Sequence, residues 1–119
     1  QILGRTLLES ILILDGKCIF SFVNRKTMNF YEVTKKDLDG IIEQLRQTRG
    51  VEVAIFLYEV ETQKYKVSLR SKNKVDVSKI ASFFGGGGHV RAAGCTMDGT
   101  VHDIVNNISM HIEQALLKG

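Results

Sequence analysis

The sequence predicts an α/β fold in a single domain: a mixed β-sheet with one right-handed β-α-β crossover, β-hairpins, and a C-terminal helix packed on the sheet. Three observations support this prediction. They are an Asp-Gly hairpin signal near the start, a strand, helix and strand in succession over residues 18–59, and a long amphipathic pattern at the end. At 119 residues, the chain can bury its own core but is short for two ordinary domains.

Residues 1–10 are predicted to be the end of a linker helix, because they contain apolar positions and an i,i+4 pair of Arg5 and Glu9. We expect this helix to lead in from a missing N-terminal catalytic domain, so that the domain proper covers residues 11–119. Residues 11–14 and 18–23 are strand-like and flank Asp15-Gly16, both of which tolerate the positive φ of a tight turn. The two strands should therefore pair antiparallel.

The next segment predicts the crossover. Residues 24–33 are mixed in character, which fits a loop or a short strand. Thr34 and Asp37 form a capping-box pattern at the start of an amphipathic helix that Gly50 ends. Its apolar positions follow at i, i+3, i+4 and i+7: Leu38, Ile41, Ile42 and Leu45. Residues 51–59 are almost continuously apolar, as expected for a central strand parallel to the one before the helix.

The second half predicts another hairpin and two helices. Residues 64–71 alternate apolar and polar side chains, which places Lys66 and Arg70 on one face of a strand. Asp76 or Ser78 should cap a short helix that runs to Phe84, and residues 92–97 should form a short strand. Thr100 begins the last helix, whose apolar stripe belongs to the core.

Four adjacent glycines, Gly85, Gly86, Gly87 and Gly88, precede His89. Ordered glycine is costly in chain entropy, so such a run is useful where the backbone must adopt positive φ or approach another group closely. A flexible linker would continue in Gly and Ser, whereas this run lies between apolar and small residues. Its amides could converge on an anion, most naturally a phosphate, with help from a helix starting nearby. The sequence fits neither the P-loop pattern nor the dinucleotide fingerprint convincingly.

Charge is concentrated on the same segment. Residues 64–91 contain seven basic side chains and one acidic side chain, while the whole chain has a net charge of only +3. Such clustering is typical of polyanion binding, although a basic edge strand that discourages aggregation would look similar.

The run Gly-Gly-Gly-Gly-His followed by Ala92-Ala93-Gly94 resembles the DHH-associated domain, the C-terminal half of DHH-family phosphoesterases. The Arg70-Ser71 strand end and the helix before the glycines resemble the same family. The pattern is most similar to the bacterial oligoribonuclease and 3′-phosphoadenosine-5′-phosphate phosphatase type. Relatives that hydrolyse cyclic dinucleotides remain an alternative, as does a non-catalytic RNA-binding module like the C-terminal domain of alanyl-tRNA synthetase.

The resemblance implies that this fragment binds substrate and does not cleave it. It assigns phosphate binding to Arg70, Ser71, the four glycines and His89, whereas Arg91 is added on charge and proximity alone. Since the chain has no Asp-His-His triplet, we expect no catalytic or metal-binding residue here and no cofactor bound by the fragment. Manganese or magnesium would belong to the missing N-terminal DHH domain. His102 and His111 lie nine residues apart and are interpreted as structural.

The remaining expectations concern cellular location, the cysteines and the binding partners. No segment has the pattern of a signal peptide or a membrane span. Cys18 and Cys95 are far apart in apolar strand contexts, so each is expected to be a buried small hydrophobe rather than half of a disulfide. We expect a cytoplasmic protein that binds short RNA or a nucleotide phosphate beside its own DHH domain. A homodimer, the substrate length and the preference for RNA or DNA are left open.

Overall fold

The computed structural model describes residues 9–118, which form six strands and four helices. In chain order these are β1 (Ile11–Ile13), β2 (Cys18–Val23), α1 (Arg25–Tyr31), α2 (Lys35–Arg46), β3 (Val53–Glu61), β4 (Lys64–Ser71), α3 (Val77–Phe83), β5 (Gly87–His89), β6 (Ala92–Asp98) and α4 (Val101–Lys118). The predicted linker helix over residues 1–10 falls almost entirely outside the described residues.

All six strands belong to one mixed sheet in the order β1-β2-β3-β4-β6-β5. β2 and β3 pair parallel, and every other neighbouring pair is antiparallel. The predicted fold class, its parallel pair and both predicted hairpins are therefore confirmed. At the first turn, Asp15 and Gly16 have positive φ, as the sequence indicated, and so does Leu14.

Two helix starts follow the predicted capping chemistry. The Thr34 hydroxyl accepts the Asp37 N–H at 3.2 Å, and the Asp37 carboxylate accepts the Thr34 N–H at 2.9 Å. Thr100 and Asp103 exchange the same two bonds before α4. Asp76, rather than Ser78, caps α3 by accepting backbone N–H groups. Each cap satisfies donors that the first turn of a helix leaves without a partner.

Two predictions of local structure were wrong. Residues 24–33 contain the helix α1, which Asn24 begins by accepting the Thr27 N–H at 2.7 Å and Glu32 ends at φ 51°. This asparagine cap outweighs the modest helix preference of the residues that follow it. Residues 87–89 form a sixth strand, β5, where the prediction was a continuous loop.

Helices cover the two faces of the sheet unequally. α3 and α4 pack on one face, with Ile104, Ile108 and Ile112 of α4 fully buried against β3 and β4. On the opposite face, α2 buries its predicted stripe against β2 and β3. That second hydrophobic cluster contains no residue of β4, β5 or β6. This half of the sheet therefore presents a face that α2 borders but does not cover.

No helix within residues 9–118 has both the length and the apolar character needed to cross a membrane.

Candidate functional site

The face of β4, β6 and β5 beside α2 carries three rows of residues, which we call the platform. Residues directly opposed in antiparallel strands point to the same face, so the strand register defines these rows. The first row pairs Lys66 with Thr96; the second aligns Ser68, Gly94 and Gly87; the third aligns Arg70, Ala92 and His89. The platform thus combines basic and hydroxyl side chains around a central row that is mostly glycine.

Arg70 and His89 lie on the third row with only Ala92 between them. Two inter-strand spacings place their Cα atoms about 10 Å apart. The Arg70 side chain is 20% exposed, and its Nε lies 3.6 Å from Oε2 of Glu43 on α2. His89 is exposed, and its imidazole makes no hydrogen bond to the part of the chain that the structure describes. The arginine is therefore anchored from one side, and the histidine can donate to a ligand.

A cavity of about 420 Å³ lies over the first two rows. α2 and β3 form its wall, and its lining includes Lys35, Asp39, Tyr58, Lys66 and Ser68. We call this cavity the groove. Burial, followed by the charge of Asp39, raises the pKa of Tyr58, which remains a neutral hydroxyl donor at physiological pH. The volume is within the range of small-ligand sites, and Arg70 and His89 follow on the adjoining third row.

The four glycines have different structural roles. Gly85 adopts φ 86° and ends α3, with its N–H bonded to the Ser82 carbonyl at 3.0 Å and the Gly86 N–H bonded to the Ala81 carbonyl at 2.8 Å. These two bonds form a Schellman motif. The helix beside the run therefore ends there and does not start there, so it does not supply the partial positive charge that the sequence analysis expected from a helix starting nearby.

Gly86 and Gly88 lie so close to β6 that a larger side chain would not fit at either position. A Cβ at Gly86 would lie 2.1 Å from the Gly94 carbonyl oxygen, and one at Gly88 would lie 2.6 Å from the Ala92 carbonyl oxygen. Gly87 differs, since a Cβ there meets nothing within 4 Å. Because Gly87 lies on the central row of the platform, it is the glycine of the run at which a ligand can approach the strand backbone from that face.

Ser71 and Arg91, both predicted to bind phosphate, lie away from the platform. Ser71 is 2% exposed and on the opposite face of β4, where its hydroxyl donates to the Val75 carbonyl at 2.6 Å. The Arg91 guanidinium donates to the carbonyls of Val75 and Asn73, each at 2.7 Å. Both side chains hold the loop over residues 72–76 against the turn between β5 and β6.

Sequence reasoning missed Glu52, which organises the same loop. The residue is 8% exposed, and its carboxylate accepts the backbone N–H groups of Asn73, Lys74 and Val75 at 2.7 to 3.2 Å. Burial by itself would raise the pKa of Glu52, but these hydrogen bonds and the Arg91 charge together lower it. The available signal was the one carboxylate in the otherwise apolar run over residues 51–57.

The turn that presents His89 depends on these tertiary contacts. Val90 and Arg91 form its tip without positive φ, so it is not one of the primed turns that two-residue hairpins favour. The Val90 carbonyl accepts the Val77 N–H at 2.9 Å, and the Arg91 carbonyl accepts the Ser71 N–H at 3.1 Å. Ser71 is therefore placed to fix the spacing between Arg70, its chain neighbour, and His89.

The described residues hold neither a cluster of metal ligands nor an exposed thiol. Within residues 9–118, no group of three or more His, Cys, Asp or Glu is placed to hold a metal ion. Cys18 and Cys95 are free and buried, and burial raises the pKa of the Cys18 thiol to about 12. A thiol with so high a pKa stays protonated at physiological pH and is a poor nucleophile.

The fold and the platform together define an α/β domain with one open polar face. The chain belongs to the DHHA1 domain family, whose model matches residues 15–116. This confirms the resemblance to the DHH-associated domain of DHH-family phosphoesterases.

Known proteins similar to this chain differ in size and in what their names say they do. Over 65 residues, the chain is 42% identical to the bifunctional oligoribonuclease and PAP phosphatase NrnA of Thermus thermophilus. That alignment covers 55% of this chain and 20% of NrnA. An exopolyphosphatase-related protein from Bacteroides fragilis superposes with a TM-score of 0.79 at 29% identity, over 98% of this chain and 33% of that one. The chain thus spans a third or less of these relatives.

Two other solved structures share the fold at lower identity. The pGpG-specific phosphodiesterase PggH of Vibrio cholerae has a TM-score of 0.61 at 12% identity, with 98% of this chain and 38% of that chain covered. The C-Ala domain of Aquifex aeolicus alanyl-tRNA synthetase has a TM-score of 0.55 at 16% identity, with 82% and 87% covered. At these identities, the likeness shows a common fold.

Proposed function

We propose that this domain binds the phosphate groups of a short oligonucleotide, or of a nucleotide such as 3′-phosphoadenosine-5′-phosphate, for a metal-dependent phosphoesterase of the DHH family. The observation that carries the proposal is the shared row of Arg70 and His89 on an open face of the sheet. The name of the T. thermophilus relative supports the same substrate class.

All three rows of the platform carry groups that suit a phosphorylated nucleotide. A guanidinium stays charged and matches two phosphate oxygens at once, so Arg70 would bind the phosphate, and His89 would donate to the same group from the other side. Lys66 and Ser68 offer a further cation and a hydroxyl donor on the neighbouring rows. The glycines between them leave room for a sugar or a base to lie against the strands.

Hydrolysis itself requires chemistry that the described residues do not contain. In a two-metal phosphoesterase, the ions clamp the attacking and leaving oxygens. Residues 9–118 present no cluster of suitable ligands, so this domain does not fit a two-metal centre. We assign manganese or magnesium to an N-terminal DHH domain of the same protein, against which the platform would face.

Binding of the purified domain to a 5′-phosphorylated dinucleotide, measured calorimetrically at two salt concentrations, tests this function. Affinity should be weak and should fall as salt rises, because cations that bind phosphates release condensed counterions. The domain alone should not hydrolyse the dinucleotide in the presence of manganese. Turnover by a rigorously purified sample would contradict the assignment of the metal site, and binding that is insensitive to salt would contradict the role of the basic side chains in residues 64–91.

A parallel titration with other nucleic acids separates the alternatives. Preference for a cyclic dinucleotide over the linear one would favour the cyclic-dinucleotide phosphodiesterases. Tight binding of a structured RNA, with no dependence on a terminal phosphate, would favour a non-catalytic RNA-binding module. Preference for the linear phosphorylated ligands is the result we expect.

A further inference from the structure

An exposed aromatic cluster lies on the opposite side of the sheet from the platform. Phe83, the last residue of α3, is 70% exposed. Its ring centroid lies 4.4 Å from that of His111 on α4 and 5.1 Å from that of Phe84, which it meets edge-on. Phe84 also contacts His111, at 5.0 Å. The two neighbours hold the Phe83 ring in position while most of its surface faces water.

Positive charge surrounds this ring. A cavity of about 460 Å³ beside it is lined by Lys74, Lys79 and Lys118 together with apolar parts of α3 and α4. Asp76 is the acidic residue in the lining, and its carboxylate already caps α3 by accepting the N–H groups of Ser78 and Lys79. The cavity therefore combines an exposed ring with an excess of cations.

We propose that this cavity, which we call the Phe83 site, is a second nucleic-acid site that takes one base of a single strand. Base stacking on an aromatic ring, with lysines or arginines along the phosphates, is how proteins bind single strands without reading sequence. A protein partner is a poorer fit, because lysine is depleted from protein interfaces and three lysines line this cavity.

The two sites are adjacent along the chain. Gly85 lines the groove, and Phe83 is two residues before it, which limits the backbone separation to about 7 Å. A strand whose phosphorylated end lies on the platform could pass around the β5 edge of the sheet and stack a later base on Phe83. This continuity rests on the proposed function of the platform. It implies that longer oligonucleotides use both sites and that dinucleotides use only the platform.

A single-tryptophan variant provides a direct readout, because the chain contains no tryptophan. Phe83→Trp should be quenched by a 5′-phosphorylated hexanucleotide, through stacking, and should not respond to the dinucleotide. Phe30→Trp is the matched control, since Phe30 is 77% exposed on α1 and does not line the cavity. Absence of quenching in Phe83→Trp, or equal quenching of the control, would overturn the proposal. So would a Phe83→Trp signal that changes with protein concentration alone, which would indicate a second copy on this surface.

Affinity measurements complete the test. Phe83→Ala should weaken hexanucleotide binding about five-fold or more, the lower end of what one lost stack costs, and leave dinucleotide binding unchanged. Phe83→Tyr should keep the wild-type affinity, and Lys79→Gln should reduce the salt slope by about 0.7 for a single strand. Equal hexanucleotide affinity of wild type and Phe83→Ala would overturn the site. If the hexanucleotide quenches Phe83→Trp but Arg70→Ala leaves dinucleotide affinity unchanged, the assignment of phosphate binding to the platform fails and the Phe83 site stands.

Discussion

Arg70 Nε lies 3.6 Å from Glu43 Oε2, so the arginine that we assign to phosphate already has an anionic partner on α2. The same carboxylate receives two hydrogen bonds from Arg46, at 2.7 and 3.1 Å through Oε1. Glu43 thus lies between a structural arginine and the platform arginine. A bound phosphate would compete with Glu43 for the Arg70 guanidinium.

Removing that competition should strengthen binding. We expect Glu43→Gln to raise affinity for the phosphorylated dinucleotide by a few fold at low salt, since an ion pair with this exposure is worth about 1 kcal/mol or less. The gain should shrink as salt rises because salt screens exposed charges. Titrations of wild type and variant at two ionic strengths measure it. Weaker binding of Glu43→Gln would show instead that Glu43 holds Arg70 in its binding orientation.

Alanine substitutions of Arg70 and His89, the two ends of the third row, should have different effects. Arg70→Ala should cost about 1.5 to 3 kcal/mol of binding, the scale of a hydrogen bond to a charged group. Arg70→Lys should recover only part of this because an ammonium cannot bind phosphate bidentately. Calorimetric titration with the dinucleotide measures both variants. Full affinity of Arg70→Ala would remove Arg70 from the site.

In a protein that carries the DHH domain we propose, His89→Ala should mainly affect turnover. A donor that faces the reacting phosphate stabilises charge developing in the transition state, so kcat should fall more than affinity. The melting temperature should hardly change, since the imidazole is exposed and makes no hydrogen bond within residues 9–118. A large loss of melting temperature, with normal activity in the folded fraction, would show that His89 supports the glycine turn and does not contact substrate.

Glu52 predicts how stability depends on pH. Hydrogen bonds from the loop lower its folded-state pKa below the unfolded value of about 4.3, so the carboxylate stabilises the fold above that pH. The contribution is lost as pH falls through the folded-state pKa. Glu52→Gln should therefore cost about 1.5 to 3 kcal/mol at pH about 7, and the difference from wild type should narrow as pH falls below about 4.3. Urea unfolding of both proteins across this range measures it, and a constant difference would contradict the assignment.

Local patterns predicted most of the fold because their causes lie within a few residues of sequence. The Asp15-Gly16 turn and the Thr34 cap each depend on neighbours in the chain, and strand alternation alone placed Lys66 and Arg70 on one face. β5 escaped prediction because its turn, through Val90 and Arg91, lacks a turn sequence and is held by contacts to β4 and α3.

The sequence predicted less of the candidate site than of the fold, because the contacts that place the site residues join distant parts of the chain. Arg70-Ser71 looked like one motif, but consecutive strand residues face opposite ways, so Ser71 points into the core and Arg70 toward the platform. The partners of Arg91 and Glu52 come from the loop over residues 72–76. Such long-range contacts leave no periodic pattern in a single sequence.

Alanine substitutions in the glycine run should separate effects on stability from effects on ligand binding. Gly86→Ala and Gly88→Ala would drive a Cβ to within 2.1 and 2.6 Å of carbonyl oxygens of β6, so each should destabilise the fold by about 1 to 3 kcal/mol, the usual cost of overpacking, or more. Gly87→Ala meets nothing within 4 Å and should leave stability within about 1 kcal/mol of wild type. Its new methyl group would stand on the central row, where we place the ligand against the backbone, so dinucleotide affinity should fall about ten-fold. Urea unfolding and calorimetric titration of the three variants measure both effects. A Gly87→Ala domain that is stable and binds with wild-type affinity would show that the ligand does not cross the middle of the platform.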